Sequence, residues 1–148
     1  MATILIIDDE APVRGYLRRV LTTAGHRVCE APDGSQGVAA LCAEGPDLVV
    51  CDLFMPGADG VETVRALRAV APAVPILVIS GGGQRGVFDA LRRAMSLGTT
   101  AGLTKPIMPD ELIREVDALL GAPHDAVAEP APSLSGLRYR LADTGLRV

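Results

Sequence analysis

The sequence predicts an α/β fold in which five parallel strands form one sheet and helices cover both of its faces. Three observations carry that prediction. Short apolar segments alternate with segments of helical periodicity five times over residues 3–120. The strand segments at residues 48–52 and 75–80 are apolar nearly throughout instead of at every second position. Strands of that kind are buried on both faces, which means a parallel sheet sandwiched by helices. Four of the strand segments also end in polar residues, as the ligand edge of an open α/β sheet does. Five units of this size make the doubly wound, flavodoxin-like (βα)5 plan with strand order 2-1-3-4-5.

Each element follows from local chemistry. Residues 3–7 are β-rich and run into Asp8-Asp9-Glu10. Pro12 suits a first helical turn; Val13, Leu17, Val20, Leu21 and Ala24 then share one helical face, and Gly25 can close the helix. Residues 27–31 form a short strand candidate. Asp33 followed by Gln36 has the spacing of a capping box, and Val38, Leu41 and Cys42 give the second helix its inward side. Residues 48–52 form the central strand, ending in Asp52. A turn-rich stretch follows at residues 55–60. Asp59 and Glu62 repeat the capping spacing, ahead of Val61, Val64 and Leu67 on a third helix.

Residues 75–80 make the fourth strand, which Gly81-Gly82-Gly83 interrupts. Phe88, Leu91, Ala94 and Met95 mark a helix that Gly98 ends. Residues 101–104 form a fifth strand running into Lys105-Pro106, and Leu112, Ile113, Val116, Leu119 and Leu120 mark the last helix, before Gly121. Beyond it, residues 122–132 are rich in Ala and Pro and without period, as a linker is. In the remainder, Leu137, Tyr139 and Leu141 alternate with Arg138 and Arg140. The expected organisation is one domain over 1–121, with 122–148 a linker and tail lacking any recognised output domain.

Composition narrows the function. The 148 residues are 49% hydrophobic and 3% aromatic and carry a net charge of −4, a balance that argues against nucleic acid as the partner. No apolar run is long enough to span a bilayer, and the N-terminus has no basic region ahead of its acids. The expectation is a cytoplasmic protein with no membrane partner. Cys29, Cys42 and Cys51 are odd in number and dispersed, and read as small buried hydrophobes. His26 and His124 have no partner at ligand spacing.

In a parallel sheet all strand C-termini lie on one edge, so Asp8, Asp9, Asp52, Ser80 and Lys105 converge although they are far apart in sequence. Three carboxylates held together repel one another unless a cation is present. Hard oxygen donors suit Mg²⁺. A cation, a lysine and hydroxyl or N–H donors around a carboxylate describe a site for an incoming phosphoryl group, and an Asp carboxylate is a competent nucleophile for it. Taken singly, the acids could be helix caps, Ser80 a turn residue and Lys105 a solvated charge. Their shared place at the strand ends gives them weight.

Asp8-Asp9-Glu10, Asp52-Leu53-Phe54-Met55-Pro56 with Asp59-Gly60, Ser80-Gly81 and Lys105-Pro106 together resemble the response-regulator receiver domain of two-component signalling, in order and spacing, over residues 2–120. The resemblance implies that Asp52 accepts a phosphoryl group from a histidine kinase or a histidine phosphotransfer protein. It implies Mg²⁺ held by Asp9, Asp52 and the backbone carbonyl of Phe54, with Asp8 assisting through water. It gives Lys105 the phosphoryl oxygens and Asp52, makes Ser80 the hydroxyl that reports phosphorylation, and makes the Lys105-Pro106 bond cis.

Two departures stand out. The family commonly places an aromatic residue three positions before the lysine, where this chain has Gly102. With no side chain to swing there, the signal is expected to run through the Gly81-Gly82-Gly83 loop and the helix after it; the segment between Ser80 and Lys105 is also slightly long for the family. Phe54 and Gly82 stand where the family sets the rate of phosphoryl loss to water. Neither can orient a water by its side chain, so a long-lived aspartyl phosphate is expected.

The leading reading is a stand-alone, bacterial receiver that acts by protein contact or phosphorelay, with its downstream partner unnamed and a second copy of itself a candidate. One alternative is a pseudo-receiver that binds without being phosphorylated. The other is an Asp-nucleophile phosphatase of the haloacid dehalogenase type, against which Phe54 argues, since that family has a second Asp at this position. Arg14, Arg18 and Arg19 on the first helix form either a kinase-docking face or its solvated side.

Overall fold

The computed structural model describes residues 1–55, 58–81, 92, 95–96 and 101–121, with 54, 55, 58 and 59 described through their backbone. The order is β1 (Thr3–Ile7), α1 (Ala11–Thr23), β2 (Arg27–Ala31), α2 (Gly34–Glu44), β3 (Leu48–Asp52), β4 (Phe54–Met55), β5 (Ala58–Asp59), α3 (Gly60–Val70), β6 (Ile76–Ser80), β7 (Ala101–Thr104) and α4 (Pro109–Gly121). Arg92, Met95 and Ser96 are helical, and Met95 is buried. Phe88, Leu91, Ala94 and Gly98 of the expected helix there lie outside the described residues, as do Gly82, Gly83 and the tail 122–148.

Five strands form one parallel sheet in the order β2-β1-β3-β6-β7. Counting those five along the chain, this is the predicted order 2-1-3-4-5. The register pairs Ile7 with both Ala31 and Cys51, Asp52 with Ile79, and Ser80 with Thr104. The strand ends therefore finish level with one another on one edge.

The sheet divides two apolar layers, because successive side chains of a strand point to opposite faces. Leu5, Ile7, Val49, Cys51 and Val78 pack with Leu41 of α2 and Val61, Val64 and Leu67 of α3. Ile4, Ile6, Val50, Leu77 and Ile79 pack with Leu17 and Leu21 of α1 and Leu112 and Val116 of α4. Apolar residues on both faces of β3 and β6 are what make those strands apolar throughout.

Several local expectations hold and some need correction. Asp33 caps α2, its carboxylate accepting from Gln36 N at 2.8 Å. α1 ends at Thr23, followed by Gly25 with φ +98°. Ala24, expected on the inward face, is exposed as the C-cap. Cys42, expected inside, is also exposed. The inward side of α2 is built on Leu41 and Gly37 instead. A Cβ on Gly37 would come within 2.5 Å of Ile7 Cδ1, so a larger residue there would force the Ile7 side chain to shift. The stretch 55–60, read from sequence as turn-rich, takes part in antiparallel pairing, Phe54↔Asp59 and Met55↔Ala58. Gly60 N donates to Leu53 O at 3.2 Å and closes this excursion. The approach is so close that a Cβ on Gly60 would sit 2.3 Å from Leu53 Cα and O.

Candidate functional site

Asp8 follows the last residue of β1, and almost everything about it is fixed by the chain around it. Its N–H donates to Ala31 O at 3.1 Å and so prolongs the β1–β2 ladder. Its Oδ1 accepts from Glu10 N at 2.9 Å. Its Oδ2 is buried and takes no hydrogen bond. Asp52 ends β3 at 2% exposure, next to Asp8 at 1%. Leu53 N donates to Ile79 O at 2.8 Å, so the backbone beyond Asp52 stays tied to β6.

Lys105 arrives from the opposite side of the sheet. Its backbone N–H donates to Ser80 O at 2.8 Å, which locks the end of β7 to the end of β6. Its Nζ lies 3.4 Å from Asp52 Oδ2, 3.7 Å from Asp8 Oδ2 and 3.5 Å from Glu10 Oε1. The Lys105-Pro106 bond is cis, as the resemblance implied. Ser80 is fully buried and its Oγ makes no hydrogen bond.

The carboxylates form one cluster. A carboxylate oxygen from each of Asp8, Asp9, Glu10 and Asp52 lies within 4.8 Å of the others, with Asp8 and Asp52 buried and the other two more accessible. Burial raises the Asp8 pKa, against the opposing pull of the Glu10 N–H and Lys105. Burial draws the Lys105 ammonium down, but Asp52, Asp8 and Glu10 outweigh it and leave the pKa above its ordinary 10.5. Burial also raises both the Cys29 and the Cys51 thiols, so neither supplies a thiolate here.

These facts bear on a metal. Four carboxylates with one lysine among them leave excess negative charge, and a buried carboxylate oxygen with no hydrogen-bond donor is an incomplete arrangement. Oxygen-only donors, some open to water, suit Mg²⁺, which retains several waters and takes few protein ligands. The residues present fit the ion.

The structure thus brings together Asp8, Asp9, Asp52, Ser80 and Lys105, all named from sequence. It adds Glu10, which the sequence offers as part of an acidic run without marking it as a partner of Lys105. It adds Arg14 too, whose Nη1 donates to Asp8 O at 2.6 Å. Arg14 and Arg18 both pair with Glu30, so neither is merely solvated. Phe54, whose backbone carbonyl is the expected third ligand, lies in β4, two residues past Asp52. Gly102 is buried in β7 opposite Val78. A cavity of about 680 Å³, lined by His26, Asp47 and Asp117 among others, lies at the other end of the strands and includes none of these residues. Among the described residues no helix is long and apolar enough to cross a membrane.

Known proteins share both the pattern and the fold. The family model described as "Response regulator receiver domain" matches residues 4–117. The phosphate regulon transcriptional regulatory protein PhoB of Pseudomonas aeruginosa is 31% identical over 137 residues, covering 91% of this chain and 58% of its own length. The response regulator MprA of Mycolicibacterium vanbaalenii is 35% identical over 130 residues, covering 86% and 55%. The chain thus spans little more than half the length of these two relatives. Among solved structures, the receiver domain of NtrX from Brucella abortus superposes with a TM-score of 0.76 at 28% identity, covering 81% of this chain and 99% of that one.

Proposed function

Since the chain belongs to the response-regulator receiver family, we propose that it is a phosphorylatable switch with Asp52 as the acceptor. The carrying observation is the placement of Lys105 Nζ 3.4 Å from Asp52 Oδ2, inside a cluster of four carboxylates. In this reading the receiver is the span 1–121 and residues 122–148 are a linker and tail. The donor is a histidine kinase or a histidine phosphotransfer protein in the cytoplasm. The output is a protein contact or onward transfer; the net charge of −4 gives no support for nucleic-acid binding by the bulk of the chain.

The chain's own groups account for the transfer. A carboxylate oxygen of Asp52 forms the new P–O bond as the P–N bond to the donor imidazole breaks, giving an acyl phosphate. Lys105 donates to the phosphoryl oxygens and leaves the carboxylates it now serves. Ser80 Oγ, a buried donor that makes no hydrogen bond now, acquires an acceptor once the phosphoryl group is in place. Asp9, Asp52 and the Phe54 carbonyl would hold Mg²⁺, with Asp8 acting through water. Held there, Mg²⁺ would supply positive charge to the phosphoryl oxygens. The protein is a switch and catalyses at most its own phosphorylation and dephosphorylation.

Incubation with Mg²⁺ and acetyl phosphate, followed by intact-mass measurement, tests this. One phosphoryl adduct is expected, dependent on Mg²⁺ and absent in Asp52→Asn. Gly102 favours a second reading, a receiver-shaped binding module that is never phosphorylated. No adduct from either acetyl phosphate or a panel of histidine kinases would establish that one instead.

A further inference from the structure

Arg14 stands outside the acidic cluster yet is built into it. Its Nη1 donates to the backbone carbonyl of Asp8 at 2.6 Å, and its Nε donates to Glu30 Oε1 at 3.1 Å. The other oxygen of Glu30 is taken by Arg18. The Arg14 side chain is only 17% exposed. The chain of contacts runs from α1 to β2 and back to the turn between β1 and α1.

That turn sits past the last register pair, and among the described residues no backbone N–H bonds the Asp8 carbonyl, which is buried and needs a partner. Arg14 supplies a charge-assisted bond. Three of the four polar atoms of Asp8 are then held: N by Ala31, Oδ1 by Glu10 N, and O by Arg14. Only Oδ2 is left for the site. Fixing the Asp8 carbonyl also fixes the plane of the Asp8–Asp9 peptide, and with it the direction in which Asp9 leaves the strand.

On this basis, and resting on the receiver reading above, we infer that Arg14 is a positioning residue for Mg²⁺: anchored by Glu30, its guanidinium orients the Asp8–Asp9 turn so that both carboxylates face the ion. Arg14 is a cation near an anionic pocket, so by charge alone its removal should tighten cation binding. A positioning role requires the opposite. Loss of groups that orient metal ligands weakens metals by roughly 10- to 100-fold.

The test is Mg²⁺ titration of the full chain with no phosphodonor, followed calorimetrically, for wild type, Arg14→Ala, Arg14→Lys and Glu30→Ala. Arg14→Ala is expected to weaken binding about tenfold. Arg14→Lys keeps the charge but cannot span carbonyl and carboxylate with a planar fork, so it should weaken binding comparably. Glu30→Ala leaves residue 14 intact and should act in the same direction, which keeps the inference testable should Arg14→Ala fold poorly in the absence of metal. Unchanged or tighter binding in Arg14→Ala, or full affinity in Arg14→Lys, overturns it. A wild-type chain that binds no Mg²⁺ and takes no phosphoryl group on Asp52 overturns the receiver reading and this inference with it. A wild type that does both, with variants that match it, overturns the role of Arg14 alone.

Discussion

Lys105 Nζ and Asp52 Oδ2 lie 3.4 Å apart although 53 positions separate the residues in sequence. The contact is long for a charge-assisted hydrogen bond, and Nζ stands almost as close to Glu10 and Asp8. One ammonium is thus shared among carboxylates, as a counter-ion free to follow charge, and not committed to a tight pair.

Lys105→Met should separate metal binding from phosphoryl acceptance. Removing the shared cation leaves more negative charge for Mg²⁺, so Mg²⁺ affinity rises several-fold in titration. The adduct formed from acetyl phosphate falls by at least tenfold, because the donor to the phosphoryl oxygens is gone. Equal movement of both quantities in one direction would contradict the shared-counter-ion picture.

Asp8→Asn should stabilise the chain at neutral pH while weakening Mg²⁺ binding. The Asp8 pKa is raised by burial, so its carboxyl favours folding fully only below the unfolded value of about 3.8. That contribution is lost as pH rises through the folded value. Denaturant midpoints of wild type and variant, measured without metal, should therefore differ most at neutral pH and converge toward pH 3.8. Lys105 behaves differently: its pKa is raised above 10.5, so its contribution persists below 10.5 and fades only as pH climbs past the folded value.

Ser80→Ala should make the protein more stable and a poorer switch. The hydroxyl is buried without a partner, an arrangement that costs about 1–3 kcal/mol. Its removal raises the melting temperature of the unphosphorylated chain by a few degrees. The acyl phosphate, deprived of that donor, should be shorter-lived when followed by intact mass.

Two glycine substitutions should move stability in opposite directions. Gly60→Ala places a methyl 2.3 Å from the Leu53 backbone, which cannot yield as a side chain can. A loss at or above the top of the ~1–3 kcal/mol overpacking range is expected. Gly15→Ala meets nothing within 4 Å in the middle of α1 and should gain up to about 1 kcal/mol from helix propensity. Thermal melts of the two variants decide both.

Much of this was legible in the sequence, for stated physical reasons. Leu48–Asp52 is recovered with its own bounds because a buried strand and the polar residue that ends it are both written in hydrophobicity; Arg27–Ala31, only partly buried, is recovered between the breakers Gly25 and Pro32. Asp52, Ser80 and Lys105 can be gathered from the sequence because a parallel sheet sends every strand end to one edge. Cys42 was misplaced because helical periodicity seeks large apolar residues, whereas α2 approaches the sheet through Gly37, a residue no hydrophobic pattern marks. The pair Phe54↔Asp59 and Met55↔Ala58 is too short to leave a period. Arg14 was invisible as a partner of Asp8 because a side chain bonding a backbone carbonyl depends on where the turn ends, not on which residues are present.

The strand order has a consequence for synthesis. β2, β1 and β3 lie in that order at one side of the sheet, with β1 paired to both others, and all three lie within the first 52 residues. A nascent chain can therefore pair those three strands before β6 and β7 have left the ribosome. All four clustered acids belong to this early part, and their lysine is made later. Until β7 docks, the pocket is a patch of uncompensated like charge, and docking brings its neutraliser. The group that would later hold a phosphoryl group is, on its first appearance, the last piece that makes the acidic edge tolerable.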